Sequence, residues 1–272
     1  MRLIDHVSEY IEVTGNGKWC EDKTLIGANM IGVMDGATPI DQIRVDNHPT
    51  QACWFVDGFA DGFYRQACEP GQSIDSFCEM LIGQMDRTRM NGIEKFNHPC
   101  CTAAFLRLED SSLLISVLGD CHVYVLSKKD KTIRFIYDDR VDVFSEKTRV
   151  ESNQGFKNAL DRDKAVRTQK ILNREYLNKP GGFYALTLDG SWKGEFVEAR
   201  VPLAEADSIL MCSDGFARLF KEYGLMTPAE FFAKKLSLLE GAALIRQYEN
   251  NGERLNGCVK SKDDVSAVLL RL

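Results

Sequence analysis

Apolar positions along the chain repeat with two different periods, and the changes between them mark out strands and helices. Residues 24–35 carry Leu25, Ile26, Met30, Ile31, Val33 and Met34, a strand-like run that closes on the turn signal Asp35-Gly36. From Pro49 to Cys68 the period lengthens. Ala52, Phe55, Val56, Phe59, Phe63 and Ala67 recur every three or four residues, which sets them on one stripe of a helix. A second helix is expected over 73–90, with Ser73 as N-cap and Ile74, Phe77, Met80, Leu81 and Met85 facing inward. Two such helices need a sheet to cover. Short β-rich runs follow at Cys101–Leu108, Leu113–Leu118, His122–Leu126 and Thr132–Tyr137, and their spacing predicts an antiparallel meander.

Residues 145–180 are polar and weakly periodic, and are expected to form loop and irregular helix. Strand patterns resume at Phe183–Leu188, Glu195–Val201 and Ser208–Cys212. One long helical pattern runs from Pro228 to Tyr248 and opens on a capping box, with Thr227 as N-cap, Pro228 at the first position and Glu230 at the third. Val265–Leu272 closes the chain as a strand. Strands and helices that come in groups, rather than in strict alternation, predict an α+β sandwich and not a doubly wound parallel sheet.

With 272 residues, 44% of them hydrophobic and 27% charged, the chain suits one large globular domain, residues 1–272. The net charge of -6, spread along the sequence without a basic run, disfavours nucleic acid and anionic membrane as partners. No leader-like start and no membrane-length apolar stretch is visible, so a cytoplasmic location is expected. Nine scattered cysteines without a C-x-x-C pair read as free thiols in a reducing compartment, and a structural zinc site is not expected.

Three places share one local design, an apolar strand beside aspartate next to glycine or a second aspartate: Ile31–Gly36, Ile209–Gly215, and Asp263-Asp264 before the last strand. A single Asp-Gly step is an ordinary turn. Repeated at strand ends, however, it aims carboxylates at one point and lets a backbone carbonyl approach the same point, an all-oxygen setting suited to Mg²⁺ or Mn²⁺.

In their order and flanking residues these segments resemble the metal-dependent protein phosphatases, the type-2C serine/threonine phosphatases, as a divergent bacterial-type member. Glu21-Asp22 looks like that family's Glu-Asp pair, and Asp35-Gly36 like its metal-bridging Asp-Gly. Cys101-Thr102-Ala103-Ala104 with Val117–Tyr124 is similar to the Gly-Ser-Thr-Ala strand and the Val-Gly-Asp-Ser-Arg segment. Asp207–Phe216 is close to the Ser-Asp-Gly hallmark, and Lys262–Val268 to the terminal Asp-Asn signature. The resemblance implies a four-layer α-β-β-α sandwich of two antiparallel sheets flanked by helices. It also implies hydrolysis of phosphoserine and phosphothreonine in proteins by a water that bridges two Mg²⁺ or Mn²⁺ ions. Carried over by position, Asp35 would bridge both ions, Glu21 and the Gly36 carbonyl would serve one, and Asp214 and Asp263 the other. Asp35, Asp214 and Asp263 are thus the catalytic set. Asp22 would act through water, and Asp120 with Asp214 matches positions that hold a third, weaker ion in some relatives.

The departures bear on substrate. Relatives often carry a phosphate-gripping arginine four residues before the Glu of the Glu-Asp pair; here that position is Gly17, with Lys18 beside it as the substitute charge. Asp35-Gly36 is followed by Ala37-Thr38-Pro39 in place of a His-Gly-Gly run, and Asp120-Cys121-His122 replaces Asp-Ser-Arg, with His122 read as a tolerated change. Residues 145–180 correspond to the variable flap of relatives, whose Arg149, Arg162, Arg167 and Arg174 could meet an anionic substrate. Two alternatives stay open beside the phosphoprotein phosphatase: a phosphatase of a small phosphorylated metabolite, and a weakly active pseudophosphatase that serves as a binding module.

Overall fold

The structure is a computed structural model that describes residues 2–66, 68, 69, 71–251 and 262–272. Eleven strands are present among them: β1 Val7–Val13, β2 Asp22–Ile26, β3 Met30–Gly36, β4 Cys100–Glu109, β5 Ser112–Leu118, β6 His122–Ser127, β7 Ile133–Ile136, β8 Leu186–Thr187, β9 Val197–Pro202, β10 Ala206–Cys212 and β11 Val265–Arg271. The α-helices are α1 Gln51–Arg65, α2 Ile74–Gly83, α3 Asp142–Ser152, α4 Ala159–Arg174, α5 Asp214–Ala217, α6 Pro228–Ala233 and α7 Leu238–Asn250. One sheet has the order β1-β11-β10-β6-β7; the other has β2-β3-β4-β5-β9, with β8 paired to β4. Every ladder is antiparallel.

The inner strands are apolar on both faces because both faces are covered. Along β10, Ile209 and Met211 enter the layer between the sheets, while Leu210 and Cys212 face α5–α7. Along β4, Ala104 and Leu106 meet the other sheet, and Ala103 and Phe105 pack under α1 and α2 with Phe55, Phe59 and Phe77. The result is the four-layer α-β-β-α sandwich. Among the described residues no helix is long and apolar enough to cross a membrane.

Several expectations hold in detail. Ser73 caps α2 as expected, accepting from the Ser76 amide, while the cap of α1, Thr50 accepting from the Cys53 amide, is a finding of the structure. The Thr227–Glu230 capping box is present. The inward stripe of α1 appears as read, except that Ala67 lies outside the described residues.

Others are corrected. The run over 24–35 is a hairpin, β2 and β3, turned at Gly27-Ala28-Asn29. The helix over 73–90 ends at Gly83, and Arg87–Met90 is a 3₁₀ turn. The pattern from Pro228 to Tyr248 is two helices, because Lys235 adopts φ +53° and Ser237 starts α7 with its own capping box to Glu240. Residues 145–180, expected as loop and irregular helix, hold regular α3 and α4, joined to the body by a small cluster of Val141, Phe144 and Phe183. The meander does not persist either. After β5 the chain crosses at Gly119-Asp120 into the opposite sheet, and β6 pairs with β10 and β7.

Candidate active site

The antiparallel order sends the end of β3, the start of β2, the β5–β6 crossover, the end of β10 and the start of β11 to one edge of the sandwich. Each of these points carries an aspartate. Asp22 pairs with Asp35 across β2 and β3, and Asp35 pairs on its other side with Thr102 of β4. The Thr102 hydroxyl donates to Asp120 Oδ1 at 2.8 Å. At the far side Ser213 N donates to the Ser266 carbonyl at 3.0 Å, which holds the end of β10 against the start of β11 and brings Asp214 beside Asp263. Asp35, Gly36, Asp120, Asp214 and Asp263 line a single cavity of about 370 Å³.

Glycine makes the approaches possible. A Cβ on Gly36 would lie 2.3 Å from the Glu21 carbonyl oxygen, and one on Gly215 would lie 1.8 Å from that of Asp264. Gly119 has φ +80°, where a side chain would also strike Thr102. Two further carboxylates act as staples. Asp264 accepts from the amides of Gly15 and Glu21, each at 2.7 Å, tying the loop before β2 to the start of β11. Buried Asp138 accepts from Gly119 N at 2.9 Å and is itself gripped by Arg140, so the turn carrying Asp120 is fixed from the base of α3.

Electrostatics mark the same cluster. Burial, then Asp264 and Asp214, push Asp22 well above the usual carboxylate range. Burial, then Asp22, Asp214 and Asp120, do the same to Asp35. Asp120 is raised to about 7 by burial and by Asp214, against the opposing Thr102 hydrogen bond.

The donor set fits hard divalent cations. All the groups are oxygens, Asp22 Oδ2 is buried without a hydrogen-bond partner, and among the described residues no hydrogen bond reaches the Asp35 carboxylate. As arranged, no three or more His, Cys, Asp or Glu side chains among the described residues are gathered tightly enough to hold an ion. Glu21 and Asp263, like Asp120, are engaged with protein groups. Glu21 accepts from the Thr38 and Thr50 hydroxyls at 2.6 and 2.7 Å, and Asp263 Oδ2 from Arg218 Nη2 at 2.6 Å.

Basic residues of the helical segment line the same cavity, although Arg149 is paired with Glu146. Arg149 and Lys170 do so together with Arg174, whose guanidinium contacts the Cys100 sulfur. Arg162 donates instead to the Ser152 carbonyl, and Arg167 pairs with Asp41 at 2.7 Å; neither lines the cavity. Exposed Lys18 borders an adjoining pocket with Glu21 and Lys262, which meets the first at Thr38 and Asp263. Sequence reasoning missed Arg218, Glu222 and Lys170 among the lining residues. A signal for Arg218 was present: it stands four residues after Asp214, one helical turn on.

His122 takes no part in this cavity. It is buried, both ring nitrogens lack hydrogen-bond partners, and it stacks on Tyr137 at 4.4 Å and Phe135 at 5.5 Å. Its role is aromatic packing. His122→Phe is therefore expected to keep the melting temperature within about 2–4 °C of the unaltered protein's, the shift that roughly 1 kcal/mol represents. A melt lowered by about 10 °C or more would overturn that role.

No family model matches the sequence, and no curated protein matches it either. Solved structures match over nearly the full length. Serine/threonine phosphatase Stp1 from Staphylococcus aureus superposes with a TM-score of 0.59 at 14% identity, covering 100% of this chain and 97% of that one. A bacterial serine phosphatase gives 0.58 at 17% identity over 98% of each chain. The catalytic domain of the phosphatase PstP in complex with two manganese ions gives 0.51 at 16% identity over 97% of each. These likenesses establish the fold as that of the bacterial serine/threonine phosphatases.

Proposed function

We propose that the chain is a metal-dependent phosphoprotein phosphatase acting on phosphoserine and phosphothreonine. The observation that carries this reading is the make-up of one cavity, lined both by aspartates from remote strand ends and by Arg149, Lys170 and Arg174 of the helical segment. A phosphate monoester is a dianion, and a site for it must surround the phosphoryl group with positive charge while rejecting bulk water. The substrate class is supported by the neighbours of like fold, described as serine or serine/threonine phosphatases, and the metal by the manganese ions of one of them.

Asp35, Asp120, Asp214 and the Gly36 carbonyl are the groups that would hold two Mg²⁺ or Mn²⁺ ions, with Asp22 beneath them. Two such ions, when bound, would supply positive charge toward the phosphoryl oxygens and make a water acidic enough to be a nucleophile near neutral pH. The chain's own groups do the rest. Lys170 and Arg174 receive the outer phosphate oxygens and orient the ester, taking over the task that Gly17 cannot perform. Thr102 and Asp138 keep Asp120 in place from behind. The thiols of Cys101 and Cys121 are pushed up by burial and stay protonated, so neither is a nucleophile.

The test is hydrolysis of p-nitrophenyl phosphate, of phosphoserine and phosphothreonine peptides, and of small sugar phosphates, each with Mn²⁺, Mg²⁺ or chelator. Turnover is expected only with metal, and with the highest kcat/KM on the peptides. Equal rates in chelator would overturn the reading. A preference for sugar phosphates would keep the metal chemistry and replace the substrate class.

A further inference from the structure

Arg218 is a feature of the cavity that metal-dependent phosphate chemistry does not ask for. It caps the short helix α5 one turn beyond Asp214, and its side chain is only 10% exposed. Nη2 donates to Asp263 Oδ2 at 2.6 Å, and Nη1 lies 3.4 Å from the Tyr223 hydroxyl and 3.9 Å from Glu249 Oε1. That outer layer is itself closed. The Tyr223 hydroxyl donates to Glu249 at 3.0 Å, and Arg246 pairs with Glu249 at 2.7 Å and donates to the Asp263 backbone carbonyl at 2.7 Å. The guanidinium is thus built into the wall between α5, α7 and the start of β11, with its charge directed at the carboxylate.

We propose that Arg218 is a built-in counter-cation that takes Asp263 out of the metal-ligand set, leaving divalent ions to Asp35, Asp120 and Asp214. The inference rests on the metal-centre reading above. Asp263 Oδ2 cannot sit at full contact with a guanidinium and a divalent ion without setting two cations against each other in a poorly solvated place, and Oδ1 accepts from the Asp264 amide at 3.2 Å. A short, charge-assisted hydrogen bond from a buried arginine is the stronger claim on Oδ2, since the guanidinium cannot swing into water without breaking the layer behind it. The ion pair therefore neutralises Asp263, anchors the start of β11 and keeps metal affinity below what a fourth converging carboxylate would give.

Mn²⁺ titration calorimetry on chelator-stripped protein separates the possibilities, with thermal melts in chelator to confirm that each variant folds. In the double variant Arg218→Gln with Asp263→Asn, an uncharged pair replaces a charged one and the net charge is unchanged. Its Mn²⁺ affinity is expected to stay within about threefold of the unaltered protein. Arg218→Gln alone is expected to bind Mn²⁺ roughly tenfold more tightly, because Asp263 is released to the ions. A double variant that loses tenfold or more would show Asp263 to be a ligand and overturn the proposal. The double variant decides the matter alone, should the single one fail to fold. If the unaltered protein takes up no Mn²⁺ at all, it is the metal-centre reading that falls, and the proposal with it. The two failures are distinguished by whether the unaltered protein gives any binding heat.

Discussion

Asp35→Asn is expected to lower Mn²⁺-dependent hydrolysis of p-nitrophenyl phosphate by about a thousandfold, the factor that several kcal/mol of lost charge stabilisation represents. In chelator the same substitution is expected to raise the melting temperature. Both signs come from one location. Asp35 stands opposite Asp22 in the β2–β3 register, and burial followed by Asp22, Asp214 and Asp120 holds its carboxyl well above the usual range. Without metal, an ionised Asp35 is repelled by its neighbours, and a neutral amide of the same shape relieves the repulsion. A gain on the order of 1 kcal/mol would shift the melt by about 2–4 °C. In the proposed metal centre the repelled charge would become the attraction that holds the ions, so its removal is expected to remove activity. Retained activity would exclude Asp35 from the centre. Lost activity with a lower melting temperature in chelator would assign it a folding role instead.

Gly215→Ala has the second large expected effect, and it acts through backbone rather than charge. The new methyl would fall 1.8 Å from the Asp264 carbonyl oxygen and 3.0 Å from its carbon. Neither atom is the end of a flexible side chain, and the ladder from Ser208↔Arg271 to Cys212↔Ala267 ties the two strands together just behind. Relief requires the end of β10 to part from the start of β11, which displaces Asp214 from the cavity it shares with Asp35 and Asp120. A cost of about 3 kcal/mol is expected, at the upper end for overpacking, with a fall in melting temperature of roughly 6–12 °C and loss of Mn²⁺-dependent turnover. Gly83→Ala is the control. Gly83 closes α2 with nothing within 4 Å of its Cβ position, and the change there is expected to be neutral or mildly stabilising. Calorimetric melts of both variants check this, and a Gly215→Ala protein that melts within a degree of the unaltered one would refute the close approach.

Much of the architecture was legible where a pattern is local. The helical stripe of Phe55, Phe59 and Phe63, the Ser73 cap and the Thr227–Glu230 box all depend on residues within one or two turns, and all are found. Strand β1 was not anticipated, because Val7–Val13 mixes Ser8, Glu9 and Glu12 into a half-buried edge and lacks the apolar density of the inner strands. The sheet assignment of β6 failed for a related reason. A strand covered on both faces is simply an apolar run, and nothing in Val123–Leu126 says whether its partner is β5 or β10. The helices within 145–180 were obscured by composition, since α4 buries only Val166 and is otherwise polar.

The chain order of its aspartates, and their placement at the ends of apolar strands beside glycine, is written in the linear sequence, because strand ends and turns are set by neighbouring residues. Which of those carboxylates share a cavity, and which meet protein partners instead, is a property of contacts between residues as far apart as Glu21 and Asp264, 243 positions. No local pattern encodes such distances. Glu21 turned onto Thr38 and Thr50, and Asp263 held by Arg218, depend on where whole sheets and helices come to rest, and packing of the four layers is what places them.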